Sequence, residues 1–183
     1  MKVTATALAG VLVLEPRVIH DNRGFFLESW NRRTFREATG LDAEFVQDNH
    51  SRSSRGVLRG LHYQLPPCAQ GKLVRVTQGS VFDVAVDIRR SSSTFGRWIG
   101  VELNEAEHRQ LWIPPGFAHG FVVLSENADV LYKTTGYYAP AQERVLRYDD
   151  PDLAISWPFP TRSLILATRD ISGQKLAQAE VFD

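Results

Sequence analysis

Between Phe82 and Ile88 the chain alternates without a break: Phe82, Val84, Val86 and Ile88 on one parity, Asp83, Ala85 and Asp87 on the other. A period of two is the mark of a strand with two distinct faces. Similar short runs recur over residues 10–14, 25–30, 44–47, 57–63, 72–77, 98–103, 111–113, 120–124, 130–138 and 144–148. Turn-forming clusters punctuate them, among them Asn22-Arg23-Gly24, Pro66-Pro67, Gln78-Gly79-Ser80, Pro114-Pro115-Gly116 and Ser125-Glu126-Asn127. With no crossover helices between the runs, the pattern predicts an all-β, antiparallel sandwich or barrel. Two helices are expected: one from an Asn31 cap through Phe35 and Ala38 to a stop at Gly40, and one from near Ser172 to Glu180.

At 183 residues the chain suits one domain, 1–183, with an N-terminal hairpin and a C-terminal helical tail, and no linker or repeat divides it. Its 21 Lys and Arg balance 21 Asp and Glu, so no whole-chain field draws it to nucleic acid or an anionic membrane. An anionic ligand must be met by a local cluster. The single cysteine, Cys68, has no internal disulfide partner, and residues 1–13 are too polar for a signal sequence. No apolar run approaches the ~20 residues of a membrane span, so a cytoplasmic location is expected.

Two segments carry histidines that a small barrel would aim at a ligand: Arg59-Gly60-Leu61-His62-Tyr63-Gln64 and Pro114-Pro115-Gly116-Phe117-Ala118-His119-Gly120. Around them, in order, stand Phe45-Val46-Gln47-Asp48-Asn49-His50-Ser51, Gln70-Gly71-Lys72-Leu73-Val74-Arg75-Val76, Leu111-Trp112-Ile113-Pro114, Tyr132-Lys133-Thr134-Thr135, Tyr137-Tyr138 and Asp149-Asp150-Pro151. Across residues 15–172 this series resembles the dTDP-4-dehydrorhamnose 3,5-epimerases. The resemblance implies a cupin-like jelly roll that forms a homodimer and inverts C3 and C5 of a dTDP-4-keto-6-deoxyhexose without cofactor or metal. Metal-binding barrels of the cupin type carry His-x-His in the first segment. Here it reads His62-Tyr63-Gln64, and an amide oxygen is a poor transition-metal ligand beside imidazole.

A 4-ketone acidifies the hydrogens on both neighbouring carbons, so double inversion needs a base, a group to hold the enolate oxygen and an acid on the other face. Histidine titrates near pH ~6.5 and makes a serviceable base at neutral pH. The resemblance makes His62 the proton acceptor, Asp170 the carboxylate that orients it, Tyr132 the proton donor and Lys72 the enolate-stabilising cation. Lys72 shares its parity with Val74 and Val76, and a lysine in an apolar stripe is costly unless paired or used. Tyr138 matches the aromatic that stacks on thymine, and Tyr132 and Tyr138 share a parity that would aim both at one face of a strand. Gly136 between them is expected to bend that strand. Arg23 and Arg59 match nucleotide-binding arginines, and Glu28, Gln47, Asp48, Asn49, His119, Glu143 and Arg169 match further ligand-contacting positions. His20, His50 and His108 receive no role.

Strict alternation puts Arg59 on the face opposite His62. A bulge at Gly60, or service to a partner's site, would reconcile the two. Arg23 and Glu28, on the N-terminal hairpin, are likewise expected to cross a dimer interface. Rival readings are a single-centre epimerase, a metal-dependent enzyme needing a third strong ligand beside His62 and His119, and a non-catalytic sugar-nucleotide binder.

Overall fold

The computed structural model describes residues 1–183. Its strands are β1 (Lys2–Ala5), β2 (Leu12–Glu15), β3 (Val18–Asp21), β4 (Gly24–Leu27), β5 (Gln47–Ser54), β6 (Leu58–Gln64), β7 (Lys72–Gln78), β8 (Ser80–Asp87), β9 (Trp98–Asn104), β10 (Gln110–Ile113), β11 (Phe117–Val123), β12 (Asn127–Thr134) and β13 (Glu143–Val145). Two α-helices, α1 (Arg32–Thr39) and α2 (Thr168–Ile171), complete the regular structure with three short 3-10 turns. One sheet runs β1-β2-β10-β7-β12-β5 and the other β13-β6-β11-β8-β9, while β3 and β4 form a separate hairpin. Strand pairing is antiparallel throughout. The expected all-β class is therefore observed, as two facing sheets of jelly-roll type.

Three apolar layers hold the sheets. Val74, Val76, Ala85, Leu111, Phe121 and Val130 pack between them. Outside the six-stranded sheet, Phe35 of α1 is fully buried against Leu14, Leu73 and Trp112. This helix starts and stops as expected: the Asn31 side chain accepts from Thr34 N at 3.2 Å, and Gly40, at φ 74°, returns its N–H to Arg36 O at 2.8 Å. Outside the five-stranded sheet, Val84, Val86 and Ile88 meet Leu146, Leu153 and Ala179 of the C-terminal segment. The apolar parity of β8 thus faces this covering tail. Its other parity, carrying Val81, Asp83 and Ala85, faces the space between the sheets, and from Val81 to Asp87 only Phe82 is less than buried.

Three expectations are corrected. The tail is not a helix over 172–180: Gln174 N donates to Val145 O and Arg147 N to Gln174 O, both at 2.9 Å, so the backbone pairs across to the chain beside β13 instead of with itself. Gly173 permits that approach, since a Cβ there would lie 2.8 Å from Leu146 C. The run at 44–47 is displaced: the strand begins at Gln47 and continues through a sequence polar on both faces. Finally, β12 ends at Thr134 rather than Tyr138, because the Gly136 carbonyl turns to accept from Gln70 Nε2 at 2.7 Å and Thr134 Oγ1 at 2.8 Å.

Candidate active site

The strand parities converge on one cavity. From the six-stranded sheet, Gln47 and Asn49 of β5, Lys72 of β7, and Tyr132 and Thr134 of β12 point into a cleft of about 340 Å³. From the facing sheet come His62 and Gln64 of β6 and Glu143 of β13, with Tyr138 and Arg169 at the rim. An inner extension adds Ser51, Arg59, His119 and Phe121. His62 and Tyr132 therefore reach the same space from opposite sheets.

Arg59 joins this face through a bulge. His119 of β11 pairs with His62 but Phe121 with Arg59, so β6 spends one more residue than β11 over that stretch. Gly60 makes it possible with φ 128°, and a Cβ there would lie 2.5 Å from Gly120 Cα. The bulge, the first of the two routes named for Arg59, is what is observed. Arg59 Nε then donates to Ser53 Oγ at 2.9 Å.

Asp170, 2% exposed on α2, sets Oδ1 at 2.6 Å from His62 Nε2. With the carboxylate accepting there, the neutral ring carries its proton on Nε2 and leaves Nδ1 with a lone pair. The short α2 reaches β6 because the tail threads beside it: Leu58 N donates to Ile165 O at 2.9 Å and Ile165 N to Gly56 O at 2.9 Å. Arg169 lies 3.7 Å from Glu143 and 4.0 Å from Asp170, linking the rim to the histidine pair.

Lys72 lies on the inner face with Val74 and Val76, 8% exposed, and its ammonium donates to His62 O at 3.1 Å. Burial pulls it down to about 8, against the opposing pull of Asp83 and Glu143. Burial pushes the Tyr132 phenol up, with Arg169 and Arg59 opposing. His119 is pushed down by burial, while Asp83, 2.9 and 3.0 Å from its Nε2, pulls it back.

The rim aromatic is held by its backbone and its tip. Tyr138 N donates to Gln47 Oε1 and Tyr138 OH to Glu143 Oε2, each at 2.9 Å, and the latter bond raises the phenol. Gln64, where a metal-binding barrel would offer a ligand, spends its amide on the chain instead: Nε2 donates to Cys68 O at 2.6 Å and Tyr137 O at 3.2 Å, and Oε1 accepts from Ala139 N at 2.9 Å. No group of three or more His, Cys, Asp or Glu is arranged to hold a metal ion.

Of the residues expected at the site, His62, Lys72, Tyr132, Asp170, Gln47, Asn49, Arg59, His119, Tyr138, Glu143 and Arg169 are brought together. Asp48 is not: alternation turns it to the outer face of β5, where it accepts from Lys133 Nζ at 2.7 Å. Arg23 and Glu28 also lie apart from the cavity. Arg23 pairs with Asp21 on the exposed hairpin, and Glu28 accepts from Asn31 and Thr34 beside α1. Sequence reasoning missed Gln70, Thr134, Ser51 and Asp83. Ser51 shares the parity of Gln47 and Asn49, which was a usable signal, and its Oγ is buried without a partner.

The sequence model of the dTDP-4-dehydrorhamnose 3,5-epimerase family matches residues 5–178. The dTDP-4-dehydrorhamnose 3,5-epimerases of Pseudomonas aeruginosa and Shigella flexneri are 58% and 56% identical over 182 residues, covering 100% of this chain and 99% of each relative. The crystal structure of a dTDP-6-deoxy-D-glucose-3,5-epimerase from Legionella pneumophila in complex with dTDP-4-keto-L-rhamnose superposes with a TM-score of 0.94 at 49% identity, covering 98% of this chain and 94% of that one. With a family match spanning nearly its whole length, the chain belongs to the dTDP-4-dehydrorhamnose 3,5-epimerase family.

Proposed function

We propose that the protein binds dTDP-4-dehydro-6-deoxy-D-glucose and inverts C3 and C5 to give dTDP-4-dehydro-L-rhamnose, a step of dTDP-L-rhamnose biosynthesis. One observation carries the reading: His62, with Asp170 at 2.6 Å on its Nε2, shares a cleft with Lys72 and Tyr132, which come from the opposite sheet. Base and acid on opposite sides of a flat enolate are what inversion requires.

His62 Nδ1 takes the proton from C3 or C5, and the imidazolium that forms is stabilised by Asp170. The electron pair moves to the C4 oxygen, where the Lys72 ammonium donates. Tyr132 then delivers a proton to the other face of the same carbon. Each inversion loads one proton on His62 and removes one from Tyr132, and exchange with solvent resets both. The substrate's own ketone is the electron sink, so the route calls for no cofactor. A placed acid or base supplies about 10²–10⁴-fold, and a pre-aimed oxyanion donor adds a comparable factor. Tyr138 stacks on thymine, and Arg59 meets the diphosphate.

The working unit on this reading is a homodimer. Hairpin β3–β4 exposes Ile19, Phe25 and Phe26 at 50, 58 and 69%, a patch that a second copy would cover while bringing Arg23 and Glu28 to the neighbouring cleft. A reducing cytoplasm suits the unpaired Cys68, and no helix is long and apolar enough to cross a membrane. Incubation with dTDP-4-dehydro-6-deoxy-D-glucose, borohydride reduction and NMR of the sugars tests the activity. Products inverted at both carbons are expected, whereas inversion at one carbon alone would assign a single-centre epimerase.

A further inference from the structure

Strand β8 buries two carboxylates on its inner parity, and they are treated differently. Asp87 accepts five hydrogen bonds, from Arg89 N, Nε and NH2, Ser92 Oγ and Thr94 Oγ1, at 2.6–3.1 Å. It knots the loop after β8, and these bonds hold it down to about 2 against its burial. Asp83 is equally sealed at 0% exposure, yet it accepts only from His119 Nε2, through both oxygens. It stands among Val81, Ala85 and Phe121, where a lone anion is costly without positive charge nearby.

We propose that Asp83 is a positioning residue for the proton chemistry of the cleft: it locks His119 with the proton on Nε2, and it is the buried anion, behind the inner cavity that His119 and Lys72 share, that favours the ammonium form of Lys72. The proposal rests on the reading of Lys72 as the group that meets the enolate oxygen. A carboxylate accepting at Nε2 leaves His119 Nδ1 as an acceptor in the neutral ring, and burial, which outweighs the pull of Asp83, keeps His119 from rivalling Lys72 as a cation.

The charges around Lys72 are unevenly matched. Arg59 of β6 and Arg169 of α2 line the inner cavity with it and oppose its protonation, as does any charge on His62 or His119. Tyr132 of β12 is neutral, its phenol pushed up by burial. Only Asp83 of β8 and Glu143 of β13 pull Lys72 up, Asp83 the more strongly. Glu143 is already engaged by Tyr138 OH and lies near Arg169. Asp83 is the anion left for Lys72.

Asp83→Asn keeps the shape and removes the charge, and its amide no longer dictates which His119 nitrogen carries the proton. The expected result is a kcat–pH profile whose alkaline limb moves to lower pH by about one unit, with KM and dTDP affinity within a factor of about three of wild type. A purely structural Asp83 would lower the melting temperature or the folded yield and leave the limb in place. An unmoved limb in folded Asp83→Asn overturns the proposal. Should that variant fail to fold, ¹⁵N-histidine NMR of the wild-type protein decides: His119 protonated on Nε2 supports the lock, and a ring protonated on Nδ1 alone overturns it. Wild-type protein assayed beside the variant separates the two levels, because an inactive wild type would sink the epimerase reading itself.

Discussion

His62 and His119 stand directly opposite each other on β6 and β11, and each has a buried carboxylate on its Nε2, Asp170 at 2.6 Å and Asp83 at 2.9 Å. The two pairs differ in setting. The His62 side chain keeps 18% exposure at the mouth of the inner cavity, whereas that of His119 keeps 7%. Access suits His62 to exchange protons with substrate and solvent, and enclosure suits His119 to a fixed tautomer.

Asp170→Asn should leave the cleft intact but let the His62 ring settle in the wrong tautomer. Turnover is expected to fall by about 10²–10⁴-fold, with dTDP affinity unchanged by calorimetry. A loss confined to KM would mean that Asp170 serves binding instead.

Activity and stability should diverge in alkali. Lys72 sits at about 8 in the fold against an ordinary 10.5, so it is cationic below pH ~8 and neutral above. Turnover, which needs the cation, should fall as pH rises through that value. Stability runs the other way: between about 8 and 10.5 the unfolded chain binds the proton that the folded one has lost, so this site's contribution rises with pH, by about 3 kcal/mol at most. Urea unfolding of wild type and Lys72→Met across pH 7–10 measures the difference. A wild-type curve parallel to that of Lys72→Met would contradict the shift.

The bulge should tolerate no side chain. Gly60→Ala puts a Cβ 2.5 Å from Gly120 Cα and 2.8 Å from His119 O at a φ of 128°, and both are backbone atoms. A loss of about 2–4 kcal/mol is expected, read as a lower melting temperature, together with weaker nucleotide binding as Arg59 leaves the cavity.

Tyr138→Ala should raise KM by about tenfold, since base–aromatic stacking is worth ~1–3 kcal/mol. Tyr138→Phe keeps the ring and loses only the bond to Glu143, so it should stay within about threefold of wild type. Equal losses in the two variants would assign the effect to the hydroxyl.

The parts of the fold legible in the sequence were those where one face is apolar and the caps are local. α1 is the clearest, with Asn31 and Gly40 at its ends and Phe35 inward. Lys72 was legible because Val74 and Val76 mark its face. β5 was not, because its inner face lines a polar cleft and its outer face carries Asp48, His50 and Arg52, so no hydrophobic alternation survives. The tail misled because Lys175 to Glu180 are good helix formers, while the hydrogen bonds of Gln174 go to Val145 and Arg147. Asp83 gave no signal, because the alternation in β8 marks two faces without showing that both are covered. The covering tail meets the opposite parity, and it is the facing sheet that buries this one.

Solvent deuterium is the most direct test of the central claim, that His62 exchanges protons at both carbons flanking the ketone. Wild-type protein and His62→Ala are incubated with dTDP-4-dehydro-6-deoxy-D-glucose in D₂O, and label at C3 and C5 is read by NMR and mass spectrometry. Label at both carbons with wild type and at neither with His62→Ala is the predicted result. Label persisting in His62→Ala, or absent from wild type that still binds the nucleotide sugar, would contradict it.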